Sequence, residues 1–464
     1  MKIFAIGTSV SASLMLLLFS LPVAATPAAD PVLFVHVNVL PMDHEGVLRD
    51  QAVLVENGAI AAIRSHIDAP KHAHVIDGHG TEYLMPGLAD MHVHSTTSRD
   101  MKLFLANGVT TVLNMGDERA GFMDHVVPKL NDGEIPGPHF YSSFKVDGTP
   151  EYGEFVVETP AQARAVVDLA KTNHYDFIKV YNNLAADTFK ALVDAGRAAG
   201  IPVVGHGVTR VGLERQLALG QVMVAHTEEY LYTVFFPPGA DVGTRAPNLD
   251  QIPAAIAFTK RYGAYVTADL NTYATIARQW GKPAVLRQML REPDVQYLDP
   301  DDRIAWQGAG YAERKGSLAA RLAFLKKFTK ALSDAGIPMI TGTDTPGIPG
   351  LVPGFSLHQD LRQLESAGLS RYQVLADATR VPGEFIAKTK PGGRPFGTVS
   401  VGARADLLLL AANPLDGLAT LQRPLGVMAS GHWYTGEDLQ KMLSDVAAGY
   451  GLPAHARQTA HSGG

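Results

Sequence analysis

Short apolar segments alternate with amphipathic helical segments from Met85 onward, and this alternation is the feature that most constrains the fold. Strands that alternate with helices in this way form parallel βα units. We count eight apolar segments, at about 88–94, 109–115, 138–145, 176–181, 202–207, 222–227, 264–270 and 337–344. Eight such units in roughly 300 residues predict an α/β fold, a (β/α)8 TIM barrel rather than a doubly wound sheet.

Two further segments of short strands flank the barrel in the sequence, over 31–84 and 396–436. We expect them to fold together into one small β-sandwich domain, formed from N- and C-terminal segments of the chain. The barrel that they enclose is predicted to span 85–395. A helical or flexible tail is expected over 437–464.

The connection between the seventh and eighth predicted strands, 271–337, is long for a barrel at about 67 residues. It contains five large aromatic residues, namely Tyr273, Trp280, Tyr297, Trp306 and Tyr311. A connection of this length is either a lid over the active site or a helical insertion with buried aromatic residues. The sequence leaves both interpretations open.

The first 25 residues have the features of a secretory signal peptide. Lys2 precedes an apolar stretch centred on Leu14 to Leu21, and small side chains at Val23 and Ala25 suit a cleavage site. The apolar stretch is shorter than the roughly 20 residues that a membrane span needs, which disfavours a retained anchor. We therefore expect an exported protein, secreted or periplasmic, with no membrane contact after cleavage.

Composition limits the kinds of site that the chain can build. It has no cysteine and 17 histidines, so any metal must be bound by His, Asp, Glu or Lys-derived ligands. The net charge of −6 disfavours nucleic acid as a partner, because a phosphate backbone selects a basic surface. We expect a small-molecule substrate, and a homo-oligomer stays open.

Residues that can bind a metal stand at the ends of several predicted strands. His92 and His94 are two residues apart on the first strand, so their side chains point to the same face. His206 ends the fifth strand, His226 the sixth and Asp344 the eighth. Each alone is more simply a structural residue, but together they meet at the carboxyl end of a barrel, where barrel active sites form. This set predicts a site for zinc, manganese, iron or cobalt.

Lys179 lies in the middle of the apolar fourth strand, where its side chain is expected to point into the barrel. An unpaired ammonium group is costly there. A lysine that reaches back to solvent or a buried ion pair is the ordinary alternative. Next to two divalent cations, however, the amine would be neutral and could react with CO2. We therefore interpret Lys179 as a carboxylated lysine whose carbamate bridges two metals.

The order of these residues resembles that of the binuclear branch of the amidohydrolase superfamily, which has His-x-His on strand one, Lys on strand four, His on strands five and six and Asp on strand eight. The segments MPGLADMHVH, TGTDTPG and GTVSVGARADLLLL are also similar to that superfamily. The segment SLHQDLRQLESAGLSRYQVLADATRVPGEF resembles its imidazolonepropionase-like and prolidase-like group, with Xaa-Pro dipeptidases and ochratoxinase-type amidases. The mononuclear deaminase branch lacks the strand-four lysine.

The resemblance implies two divalent metal ions, with zinc the expected metal, and a CO2-derived carbamate on Lys179. It also implies that Asp344 is both a ligand and the general acid/base. In that mechanism a hydroxide bridging the metals attacks the carbonyl, and Asp344 passes its proton to the leaving amine. The implied metal ligands are His92, His94, Lys179, His206, His226 and Asp344.

Three further residues are candidates for substrate binding. Tyr181 shares the face of Lys179, and Arg210 is the guanidinium nearest to His206 in the sequence, suited to binding a carboxylate. Glu228 follows His226 by two residues and could hold a substrate ammonium or orient a ligand. A packing tyrosine and a solvated arginine are the alternatives for the first two.

These residues predict an exported metallo-amidohydrolase that cleaves a carbon–nitrogen bond, as a dipeptidase or an aminoacylase does. Its substrate is expected to be a dipeptide or an N-acyl amino acid. Two alternatives stay open at this point. One is a cyclic amide or lactone hydrolase with the same binuclear site, and the other is a non-catalytic binding protein.

Overall fold

The computed structural model describes residues 30–151, 155–237, 240 and 243–450. The strands are β1 (Val32–Val39), β2 (Leu48–Glu56), β3 (Ala59–Arg64), β4 (His74–Asp77), β5 (Tyr83–Pro86), β6 (Leu88–Val93), β7 (Val109–Asn114), β8 (His139–Asp147), β9 (Phe155–Val156), β10 (Phe177–Val180), β11 (Val203–Gly205), β12 (Met223–Val224), β13 (Tyr265–Thr267), β14 (Met339–Ile340), β15 (Leu407–Leu410), β16 (Gly426–Ala429) and β17 (His432–Thr435).

The helices are α1 (Ser98–Ala106), α2 (Ala120–His125), α3 (Val127–Asn131), α4 (Pro160–Thr172), α5 (Ala186–Ala199), α6 (Leu213–Leu219), α7 (Ile252–Tyr262), α8 (Leu270–Gln279), α9 (Pro283–Met289), α10 (Pro300–Gln307), α11 (Ala319–Asp334), α12 (Phe355–Ala367), α13 (Arg371–Asp377), α14 (Arg380–Thr389) and α15 (Gly436–Gly449). None of these described helices combines the length and the apolarity needed to cross a membrane. The predicted signal peptide, 1–25, lies outside the described residues, as does the end of the predicted tail, 451–464.

Eight parallel strands form a nearly closed barrel, in the order β6, β7, β8, β10, β11, β12, β13 and β14. Backbone hydrogen bonds join its last strand to its first. The Met91 amide donates to the Thr341 carbonyl at 2.9 Å, and the Thr343 amide donates to the His92 carbonyl at 3.1 Å. The predicted (β/α)8 barrel is therefore confirmed, and all eight strands overlap the predicted segments.

Local sequence explains where the outer helices begin and end. Thr159 caps α4 by accepting from the Gln162 amide, while the Gln162 side chain accepts from the Thr159 amide. This reciprocal arrangement satisfies two amides that a helix start otherwise leaves unpaired. Helix α5 ends at Gly200, whose φ of +73° is a left-handed conformation that favours glycine. Between these ends, α5 buries Phe189 and Leu192 against the barrel.

The second sheet contains strands from both ends of the chain, in the order β17, β16, β15, β5, β1, β2 and β3, with β4 paired to β1. Strand β15 pairs antiparallel with β5, placing Leu407 opposite Pro86. Phe34, Leu407 and Met428 belong to one buried cluster of this sheet, and Trp433 packs edge-on against Phe34 at 5.3 Å. The terminal segments thus form a separate β unit, as predicted, whereas the domain boundaries stay predictions.

The insertion between β13 and β14 is helical, with α8 to α11 and a 3-10 helix over Pro293–Tyr297. Trp306 of α10 is 1% exposed, and its Nε1 donates to the Pro346 carbonyl at 2.7 Å. Pro346 follows Asp344 by two residues. The insertion is therefore packed directly onto the loop that leaves the last barrel strand.

Candidate metal centre and substrate cavity

The six ligand candidates lie at the carboxyl end of the barrel, each on a strand or just beyond one. His92 and Lys179 are on β6 and β10, while His206 follows β11 directly. Beyond β12 and β14, His226 and Asp344 have φ values of +71° and +58°. These values lie in the left-handed region, which residues other than glycine rarely adopt. At each of these two residues the backbone turns, and regular strand pairing ends earlier than the apolar sequence suggests. The turn also directs both side chains inward over the barrel.

The structure brings all six candidates together. His92 Nε2 lies 3.1 Å from Lys179 Nζ, and His94 Nε2 lies 3.2 Å from Asp344 Oδ1. The His226 ring is 4.3 Å from the His92 ring between centroids and 5.1 Å from the His206 ring. In the part of the chain that the structure describes, two groups of side chains have ligand atoms that could share one ion, namely His92, His94 and Asp344, and His92, His226 and Asp269.

Lys179 is completely buried, in agreement with its predicted direction into the barrel. Burial lowers the pKa of its amine to about 8, although the charge of Asp344 acts in the opposite direction. The neutral amine that reacts with CO2 is consequently far more populated at neutral pH than in a solvated lysine. The same burial, with the charge of Lys179, places the pKa values of His92 and His206 well below the usual range.

Carboxylates outside the predicted set orient three of the imidazoles. Glu229 Oε1 lies 2.7 Å from His206 Nδ1, Asp269 Oδ2 lies 2.6 Å from His226 Nδ1, and Asp117 Oδ2 lies 3.1 Å from His94 Nδ1. Such contacts fix the ring and leave Nε2 directed away from the carboxylate. Asp269 is therefore already engaged through His226, which favours an orienting role for it over a ligand role.

Sequence reasoning missed these three carboxylates, although all three lie at or just beyond the end of a predicted strand segment. Asp269 lies within the seventh predicted strand segment, near its end, as Asp344 ends the eighth. Asp117 follows the second segment by two residues, and Glu229 follows the sixth by two. Which imidazole each carboxylate contacts depends on how neighbouring strands are paired.

The donor set fits divalent metal ions. His206 Nε2 is buried and has no hydrogen-bond partner among the described residues. Burial opposes ionisation of Asp344, but the hydrogen bond from His94 and the charges of His92 and His226 outweigh it and hold its pKa well below the usual range. The charge and hydrogen bond of Asp269 raise the pKa of His226 to about 9 despite burial. Imidazole nitrogens and carboxylate oxygens are donors that zinc-like ions take.

A cavity of about 650 Å³ opens above this cluster. Tyr181 and Glu228, both predicted to contact substrate, line it, and the Tyr181 ring stacks on His206 at 4.0 Å. Burial raises the pKa of the Glu228 carboxyl to about 7. Arg210 is exposed and is not among the described residues that line the cavity. Tyr311, from the insertion, contributes to the cavity wall.

No protein-family model matches the chain. A curated dihydroorotase from Geobacter sulfurreducens (strain ATCC 51573 / DSM 12127 / PCA) is 25% identical over 178 residues, which is 38% of this chain and 38% of that protein. The similarity to that relative therefore spans well under half of its length.

Solved structures match over nearly the whole chain. The bottromycin amidohydrolase is 26% identical with a TM-score of 0.71, and 91% of each chain is covered. A putative prolidase from Bifidobacterium longum, 21% identical with a TM-score of 0.65, covers 90% of this chain and 100% of its own. At that level of identity the prolidase shows a shared fold. The resemblance to amidohydrolases seen in the sequence is confirmed by the bottromycin amidohydrolase, which matches nearly the whole chain.

Proposed function

We propose that this chain is a metal-dependent amidohydrolase that cleaves the carbon–nitrogen bond of a dipeptide or an N-acyl amino acid. The observation that carries the proposal is the convergence of four histidines, Lys179 and Asp344 at the carboxyl end of the barrel, where three of the histidines and Asp344 line one cavity. The similarity to a bottromycin amidohydrolase over 91% of the chain supports the type of bond.

Two divalent ions, which we propose to be zinc, would be held by the four histidines and Asp344. We propose that Lys179 would supply oxygen ligands to these ions as a carbamate, which forms when its neutral amine adds to CO2 and loses one proton. When bound, ions of this kind polarise a carbonyl group and lower the pKa of water. Glu229 and Asp269 keep His206 and His226 in the orientation that such binding requires.

Asp344 is suited to the proton transfers of amide hydrolysis. Because its neighbours hold its pKa low, it is a carboxylate before the reaction and can accept the proton of the attacking water. It then returns that proton to the leaving nitrogen, which departs as a neutral amine. Tyr181 and Tyr311 flank the same cavity, whose volume suits a dipeptide-sized molecule.

We also propose that the protein is exported, and the support for this part is the sequence of residues 1–25 alone. Removal of residues 1–25 would yield a mature protein outside the cytoplasm, in the periplasm or the medium. N-terminal sequencing of protein recovered from each compartment tests this part, and an intact Met1 in the cytoplasmic fraction would contradict it.

The first experiment measures amino-acid release from a mixed library of dipeptides and N-acyl amino acids, with zinc-loaded mature protein and mass-spectrometric detection. We expect particular amino acids to be released, and Asp344→Asn and Lys179→Ala to reduce the rate by roughly three orders of magnitude or more. The control is Asp334→Asn, which removes a surface carboxylate paired with Lys330 at the end of α11.

Each negative outcome has a separate meaning. Full turnover by Asp344→Asn would contradict the proton-transfer role. No release by protein that carries two metals per chain would contradict the substrate class. Opening of cyclic amides or lactones in the same assay, without release from the library, would replace the proposal by ring hydrolysis.

A further inference from the structure

The charged side chains of the cavity wall lie on two different sides of the barrel mouth. Lys145 projects from β8, the third of the eight barrel strands, and its Nζ lies 2.7 Å from Asp117 Oδ1. It is the one lysine or arginine among the described residues that line the cavity. Glu228 follows β12, the sixth barrel strand, and lies three strands farther round the ring. One side of the cavity wall therefore carries the Lys145 ammonium, paired with Asp117, and another side carries the Glu228 carboxylate.

Glu228 differs from the other carboxylates of the wall in its contacts. Glu229 accepts from the Gly207 amide and from Asn182, in addition to its contact with His206. Glu151 accepts from Asn183 at 3.1 Å. The Glu228 carboxylate has no hydrogen bond or ion pair among the described residues, although it faces the cavity. A carboxylate in this position remains available for a ligand.

A buried arginine stands behind Glu228. Arg321 of α11 is 5% exposed, and its Nε and Nη2 atoms have no hydrogen-bond partners among the described residues. Its guanidinium lies 5.8 Å from the ring centre of Tyr232, another residue of the cavity wall. Arg321 is close enough to Glu228 for the two side chains to interact through space. The insertion thus places a buried positive charge near this side of the cavity.

We propose that the cavity takes an unblocked dipeptide, with its α-ammonium group bound by Glu228 and its carboxylate on the side of Lys145. Glu228 is then the residue that selects a free amine over an N-acyl group. An ammonium that enters the cavity loses water and needs an anionic partner. An acyl group would leave Glu228 desolvated beside an apolar atom, which is the more costly arrangement. This inference rests on the proposed function and narrows its substrate class.

The test compares two substrates that differ at one group. Glycyl-X and propionyl-X, where X is the amino acid best released from the library, differ only by an NH3+ group in place of a CH3 group. We expect wild-type kcat/KM to be at least about tenfold higher for glycyl-X. Glu228→Gln should lower kcat/KM for glycyl-X by about ten- to a hundredfold, because a charge-assisted contact is lost. It should change kcat/KM for propionyl-X less than about threefold.

The matched control is Glu214→Gln, which removes the same charge from an exposed carboxylate of α6 that lies 3.4 Å from Arg261. It should leave both substrates unchanged. Because the wild-type comparison needs no variant, it remains decisive even when Glu228→Gln folds poorly.

Three results would overturn the inference. Equal wild-type turnover of glycyl-X and propionyl-X does so while leaving the proposed function intact, and so does an equal loss of both substrates in Glu228→Gln. Release of no amino acid from the library refutes the proposed function itself, and the inference with it.

Discussion

Replacing Trp306 by phenylalanine tests whether the insertion holds the loop that carries Asp344. The substitution removes the hydrogen bond from the indole Nε1 to the Pro346 carbonyl, at a site that is 1% exposed. An unpaired buried carbonyl costs about 1–3 kcal/mol, and the smaller ring leaves a cavity worth on the order of 1 kcal/mol. We therefore expect the free energy of unfolding to fall by about 2–4 kcal/mol.

The same substitution should also reduce kcat/KM by about tenfold, because Pro346 lies two residues beyond Asp344 and small displacements of a catalytic group are costly. Urea unfolding gives the first quantity, and the release assay gives the second. Trp280→Phe is the control, since Trp280 also donates to a backbone carbonyl, that of Lys315 at 2.8 Å, but is partly exposed. A Trp306→Phe protein as stable and as active as the Trp280→Phe control would refute the reasoning.

Three further outcomes are expected. Glu229→Gln should weaken metal binding by about ten- to a hundredfold in a competition with a chelator, because it no longer orients His206 as a carboxylate does. Removal of metal by a chelator should abolish turnover and lower the urea midpoint, and zinc should restore both. Burial raises the pKa of Asp100 from 3.8 to about 7. Between pH 3.8 and pH 7, the Asp100 carboxyl is therefore protonated in the folded state and ionised in the unfolded chain. Stability should therefore fall as pH rises through that window, and Asp100→Asn should increase the free energy of unfolding at pH 8 by up to about 4 kcal/mol but leave it unchanged near pH 3. Equal urea midpoints of the two proteins at pH 8 would contradict this cause.

Much of the barrel was predictable because each strand is a short apolar run between helical segments. The two-residue spacing of His92 and His94 places both on one face, and the isolated charge of Lys179 in an apolar strand marks an interior position. The last three strands are shorter than predicted, since apolar character continues past the point where regular pairing stops. Left-handed residues such as His226 and Asp344 cause that early stop.

The contacts around the candidate ligands could not be predicted in the same way. Asp269 and His226 are far apart in the sequence, and they meet only because neighbouring strands of the ring are in register. Arg210 shows the opposite case, because closeness to His206 in the sequence did not bring it to the cavity. Arg321 comes from the insertion, whose packing on the barrel has no periodic signal.

The pairing of β5 with β15 has a consequence for the synthesis of the chain. Strand β15, which contains Leu407, pairs with β5, and β5 is synthesised before any part of the barrel. One edge of β5 therefore stays unpaired until the barrel has been synthesised. Joining segments so distant along the chain carries a large loop-closure cost and is expected late in folding. A chain that stops before Leu407 retains this open strand edge even when its barrel is complete. Incomplete chains should therefore be prone to aggregation and proteolysis.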